Sequence, residues 1–245
     1  MGSQWVGCPN SNFRKGRPSG FRPEAIVVHI MDGSFQAGES VFVNPTSQKS
    51  AHYGVSKSGT IHQYVDETDT AFHAGIVVNP TWGLLKPGVN PNFYTIGIEH
   101  EGRADDVWPD EQITASSTLI SQIALRWGIR LDTEHVIMHR QIRASKTCPG
   151  NWVRIQNLLT PVPNSSVVMV VANTSVRTTK SVNLRQANPN TTAPLVRVIP
   201  PNTSISVAGF TIGERVEGNA YWYSDPQGNY LWAGATDTPA PVPPG

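Results

Sequence analysis

Two histidines and a cysteine stand where buried strands should end. Ala25-Ile-Val-Val-His-Ile30 is a continuous apolar run broken by one imidazole, and His139 closes the apolar run Val136-Ile-Met138. A polar ring at the end of a buried strand needs a partner, and strand ends are where sites in α/β folds gather. Nine positions after His139 lies Cys148, in Lys146-Thr-Cys-Pro-Gly150, the composition of a tight turn rather than of a strand. Two imidazoles and a thiolate make a tetrahedral zinc set with one position left for water. Spacing alone is a weak signal, because a lone histidine is more often a satisfied core or surface residue, and the chain has seven.

The elements that must hold these residues alternate in type. The run from Ala25 to Ile30 reads as a buried strand. Tyr53-Gly-Val-Ser56 and Thr60 to Val65 flank Lys57-Ser-Gly59, a hairpin turn. Tyr94 to His100 is a further strand. Pro109 and Asp110 open a helix, with an acidic residue facing the positive end of its dipole. Ile113, Ile120, Ile123, Ala124 and Trp127 share a face of that helix, and Gly128 ends it. His135 to His139 forms a short strand and Asn151 to Leu159 a last short helix. Strands interleaved with helices imply an α/β domain around a central mixed β-sheet flanked by helices.

The order of the motifs is more specific than any one of them. Ile26-Val-Val-His29, Ser50-Ala-His-Tyr-Gly-Val55, Gly59-Thr-Ile-His-Gln-Tyr64, Ala71-Phe-His-Ala-Gly75, Thr95-Ile-Gly-Ile-Glu99, Ile137-Met-His-Arg140 and Lys146-Thr-Cys-Pro-Gly150 follow one another along the chain. Together they resemble the zinc-dependent N-acetylmuramoyl-L-alanine amidases related to phage lysozymes and to peptidoglycan recognition proteins. The resemblance covers about residues 22 to 160. It implies one zinc ion held by His29, His139 and Cys148, and water activated near neutral pH to attack the amide joining muramic acid to L-alanine in bacterial peptidoglycan.

Members of that family differ in their other groups. Some resemble a tyrosine and lysine arrangement, which Tyr53 and Lys146 match; others use a glutamate, where Glu99 stands. A carboxylate is the simpler proton acceptor, and Lys146 suits charge developing on the amide oxygen, so Glu99 and Lys146 rank ahead of Tyr53. The plainer readings are a half-buried strand aromatic for Tyr53 and a strand-end salt bridge for Glu99. His73 occupies the family's Trp-His-Ala-Gly position, with Phe72 for Trp, and is expected to line the cleft and support ligands or substrate. Asn79, Trp82 and Phe93 fall in a Pro/Gly-rich segment that could edge a glycopeptide groove; plain loop packing is as good a reading. His52 and His62 are expected to be structural. His100 should point to the opposite face from Glu99.

After about residue 166 the texture changes to short β-runs and turns, a small all-β barrel. Val182-Asn-Leu-Arg185, Leu195-Val-Arg-Val-Ile199, Tyr221-Trp-Tyr223 and Tyr230-Leu-Trp-Ala-Gly-Ala-Thr236 resemble bacterial SH3 domains, which implies a wall-binding module. Trp222 and Trp232 are either part of its binding surface or its core. The expected layout is a catalytic domain over 1–160, a Pro-rich linker at 161–166, an SH3-like domain over 167–236 and a Pro-rich tail at 237–245.

The bulk numbers fit this and exclude other classes. A chain of 245 residues suits one medium and one small domain. A net charge of +1 gives no field for nucleic acid; the basic cluster Arg14, Lys15, Arg17 and Arg22 reads as a solvated segment. No apolar run suits a membrane span, and the first residues lack the apolar core of a signal peptide. The partner expected is peptidoglycan, with the protein a monomer, made in a host cytoplasm and released to the wall if it is a phage endolysin; a secreted autolysin is the alternative source. Two other readings compete. A cysteine peptidase would need a nucleophile, and Cys8 is not followed by a helix pattern. A recognition module without catalysis would typically lack the cysteine ligand, and a structural zinc would favour four protein ligands.

Overall fold

The computed structural model describes residues 3–159 and 169–239. The linker expected at 161–166 and residues 240–245 of the expected tail lie outside them. The chain divides into two compact units, residues 1–120 with 132–159, and residues 121–131 with 160–245.

The elements of the first two-thirds are β1 (Gln4–Trp5), β2 (Phe13–Arg14), β3 (Ala25–Ile30), α1 (Phe35–Val43), β4 (Tyr53–Val55), β5 (Ile61–Gln63), β6 (Thr70–Ala71), β7 (Thr95–His100), α2 (Asp110–Trp127), β8 (Val136–Met138) and α3 (Ile155–Leu158). Six strands form one mixed sheet in the order β1-β5-β4-β7-β3-β8, in which only the β4–β5 hairpin is antiparallel. The protein is thus mixed α/β with a central sheet. β3 lies between β7 and β8 with Ala25 to His29 all buried, which is why its sequence is apolar without alternation. Parallel register sets His29 beside Glu99 and Val28 beside Met138. The C-terminal ends of three adjacent strands therefore deliver His29, Glu99 and, one residue past β8, His139 to one edge of the sheet.

α1 starts at Ser34, whose hydroxyl accepts from the Ala37 amide. α2 opens on Asp110 and Glu111 and stops at Gly128, which holds φ at +66°. Its first turns meet the sheet through polar groups as well as apolar ones. Gln112 donates to the Val55 and Glu101 carbonyls, and Ser116 lies 2.8 Å from His100 Nε2. His100, stacked on Trp108 at 4.2 Å, is buried on this face, opposite to Glu99. The helix expected from Asn151 shrinks to the single turn α3, because Arg154 is still extended at φ −121° and ψ 117°.

The remainder is a six-stranded antiparallel sheet of β9 (Met169–Arg177), β10 (Val182–Arg185), β11 (Leu195–Ile199), β12 (Ser204–Val216), β13 (Asn219–Ser224) and β14 (Tyr230–Trp232), in the order β11-β10-β14-β13-β12-β9. Register shifts between Val207 and Gly209 and between Ile212 and Val216 mark bulges in the long β12. Among the described residues β11 and β9 do not pair with each other. Trp222 and Trp232 are both core, at 2% and 8% exposure. Leu195, Val196 and Val198 of the edge strand β11 are exposed instead. No helix of the described residues is long and apolar enough to cross a membrane.

Candidate active site

The ligand atoms of His29, His139 and Cys148 lie within 4.8 Å of one another. Cys148 Sγ is 3.9 Å from His29 Nδ1 and accepts the Ile30 amide at 3.2 Å, so the turn after β8 is tied to the end of β3. The two imidazoles sit with ring centroids 4.5 Å apart. His139 Nε2 donates to the Ala74 carbonyl at 3.0 Å, and His29 Nε2 lies 3.0 Å from His73 Nδ1. Burial holds His29 and His139 below the ordinary histidine value, so both rings are neutral and each has a lone pair to give. Burial, and then the nearby Glu99, pushes the Cys148 thiol up; a divalent cation reverses that, since it takes the thiolate. The donor set therefore fits zinc.

Glu99 faces the same point, with Oε1 4.0 Å from His29 Nδ1 and Oε2 buried without a hydrogen-bond partner. Burial raises its carboxyl to about 8, against the opposing pull of Lys146. An orphaned carboxylate oxygen beside three metal donors is a site for water or substrate rather than for packing. These residues line a cleft of about 660 Å³, together with Lys146, His73, Arg143 and Lys49.

His73 is buried between the ligands and the sheet. A Cβ on Gly97 would meet its ring at 2.4 Å, so β7 carries glycine there to admit an imidazole. Burial lowers His73 to about 3. His52 and His62 are held structurally: His52 Nδ1 accepts from the Gly97 amide, and His62 lies 2.6 Å from Glu39.

Four of the candidate residues stand away from the cleft. Tyr53 pairs with Ile98, not with Glu99, so strand alternation turns it to the opposite face. Its hydroxyl donates to Glu67 at 2.7 Å, and it does not line the cleft. Trp82 belongs to the core, stacked on Tyr94 at 5.6 Å with its indole donating to the Glu134 carbonyl. Phe93 packs against Phe21, and Asn79 is an exposed turn residue with φ +46°. None of the three lines the cleft. The loop edge is formed by Phe72, Gly75 and Asn92.

Sequence reasoning missed three residues. Asn92 accepts both the His73 and the Ala74 amides on Oδ1. Arg17, read as solvated, is largely buried, and its guanidinium donates to the carbonyls of Glu67, Asn92, Phe93 and Thr95. Burial lowers it to about 10. Arg143 places a buried, unpartnered Nε at the cleft wall. Nothing in the local sequence distinguishes such arginines from surface ones, because their partners are distant main-chain atoms or the cleft itself.

The sequence profile of the N-acetylmuramoyl-L-alanine amidases matches residues 19–151, a stretch that holds every one of these cleft residues. The chain belongs to the N-acetylmuramoyl-L-alanine amidase family. N-acetylmuramoyl-L-alanine amidase A of Achromobacter lyticus is 37% identical to it over 128 residues, which is 51% of this chain and 63% of that protein. The match thus spans less than two-thirds of that relative's length. Among solved structures, a selenomethionine crystal structure of AmpD superimposes with a TM-score of 0.50 and 25% identity, covering 64% of this chain and 94% of that one. The profile match itself stops at residue 151, three residues past Cys148.

Proposed function

We propose that this chain is a zinc-dependent peptidoglycan hydrolase that cleaves the amide between N-acetylmuramic acid and L-alanine, as a phage endolysin does. The observation that carries this is the convergence of His29, His139 and Cys148 with the orphaned Glu99 carboxylate in one cleft of an amidase-family domain. His29, His139 and Cys148 would hold the zinc ion, and when bound it would supply a Lewis acid able to activate water near neutral pH. Burial alone would keep the Glu99 carboxyl protonated near neutral pH. A cation held by the three donors, with Lys146, would favour the carboxylate, which would then accept a proton from the attacking water on Oε2 and return it to the leaving amine of L-alanine. Lys146, exposed at the cleft edge, stabilises negative charge on the amide oxygen. Arg143 and Lys49 give the cleft an excess of cations suited to the free carboxylates of a stem peptide.

The second sheet is read as an SH3-like wall-binding module, with the exposed Leu195, Val196 and Val198 as its contact surface. Tethering a wall binder to the catalytic domain raises the effective substrate concentration. The protein is taken to act as a monomer at the bacterial wall, without nucleic-acid or membrane partners.

Digestion of purified peptidoglycan tests the activity. The expected result is new N-terminal L-alanine, abolished by a chelator and restored by zinc. New reducing ends would mean a glycosidase instead, and amino termini of other stem residues a peptidase.

A further inference from the structure

The carbonyl of Pro91 can only accept, so the Thr95 hydroxyl, 2.7 Å away, must point its hydrogen there. Only lone pairs of the Thr95 oxygen are then left for His73 Nε2 at 3.2 Å, and Nε2 carries the His73 proton. A neutral imidazole has one N–H, which makes His73 Nδ1 an acceptor. It lies 3.0 Å from His29 Nε2 and takes that hydrogen. His29 Nδ1 is left as a bare lone pair, 3.9 Å from Cys148 Sγ. His139 reaches the same state by a shorter route, since its Nε2 must donate to the Ala74 carbonyl.

We propose that Thr95 is a positioning residue for the metal centre, fixing the tautomer of His29 through His73 so that Nδ1 faces Cys148 unprotonated. The inference rests on His29 and His139 being metal ligands. The unit that does this is compact. Both outer acceptors, the His73 ring and the Ala74 carbonyl, belong to adjacent residues whose amides are held by Asn92 Oδ1 at 3.2 and 2.8 Å. Arg17 fixes the far side by donating to the Asn92 and Thr95 carbonyls. One loop therefore sets the proton on both imidazoles, and Thr95, which touches neither the cleft nor a ligand, anchors its end.

Imidazole ¹H–¹⁵N correlation spectra of the metal-free protein read the tautomer of each ring, and chelator competition reads the zinc dissociation constant. The wild type should carry its His29 and His139 protons on Nε2. Thr95→Val keeps the side-chain shape but removes the hydroxyl; it should populate the Nδ1–H form of His29 or His73 and weaken zinc binding roughly 10–100-fold, the range for outer-shell partners. Thr95→Ser should restore both readouts. His73→Phe, which removes the acceptor but not the ring, should weaken zinc to a similar degree and carries the test if Thr95→Val does not fold. Unchanged His29 tautomer and zinc affinity in folded Thr95→Val, or a wild-type His29 protonated on Nδ1, would overturn the proposal. Wild-type tautomers and tight zinc in a protein that frees no L-alanine ends would support this inference and remove the amidase reading instead.

Discussion

On the proposed mechanism Glu99 and Cys148 act differently on the same water, and substitution should separate them. Glu99→Gln keeps size and burial but removes the proton acceptor. Its expected effect is a fall in kcat of roughly 10²–10⁴-fold, the usual worth of a positioned general base, with zinc content by metal analysis unchanged. Cys148→Ser removes a ligand, so zinc content and activity should fall together, by more than the roughly 10–100-fold that outer partners carry. Equal zinc loss in both variants would mean that Glu99 binds metal rather than moves a proton. Arg143, with its unpartnered Nε at the cleft wall, is proposed to bind substrate and not to react. Arg143→Gln should raise KM for a muropeptide with a free stem carboxylate while leaving kcat within a few-fold, in steady-state kinetics.

At the scale of elements, the site depends on register more than on loops. His29 and Glu99 are cross-strand neighbours on β3 and β7, and His139 follows β8 on the other side of β3. This places His29 and Glu99 on rigid strand ends and His139 at the first residue after β8, and leaves only Cys148, of the three proposed metal donors, to a more distant turn. The same sheet must make room for His73, and Gly97 does so. Gly97→Ala would put a methyl 2.4 Å from the His73 ring. The expected cost is about 1–3 kcal/mol of stability, typical of overpacking, seen as a lower thermal midpoint in chelator, together with weaker zinc binding because His73 shifts. A variant with wild-type midpoint and zinc affinity would show that the ring relocates freely.

For the whole molecule, a preformed buried metal set couples binding to stability. Zinc at about 100 times its dissociation constant should stabilise the folded chain by about 2.7 kcal/mol, measured as a rise in thermal midpoint reversed by chelator. The β-sheet unit should matter only on an insoluble substrate. Replacing the exposed Leu195 and Val198 together by Ser should reduce co-sedimentation with intact walls and leave hydrolysis of a soluble muropeptide unchanged. Loss of both would assign these residues to folding instead of wall contact.

The central sheet, its buried strands and the long helix were legible because each follows from short-range pattern: the apolar run of β3, the hairpin at Lys57-Ser-Gly59, and the Pro109-Asp110 start and Gly128 stop of α2. Membership of the amidase family was legible from motif order. The faces of individual side chains were not. Tyr53 sits one residue from where Glu99 looks, and a period of two turns that offset into the opposite side of a sheet. Only the stacking of Trp82 on Tyr94, a contact twelve residues along the chain, separates it from a groove aromatic. Arg17 looked like one of four surface cations, because the carbonyls that bury it come from residues 67 to 95. Local composition determines which elements form; which ring, carboxylate or guanidinium meets which partner is decided by contacts between residues far apart in the chain, and only the tertiary structure holds those.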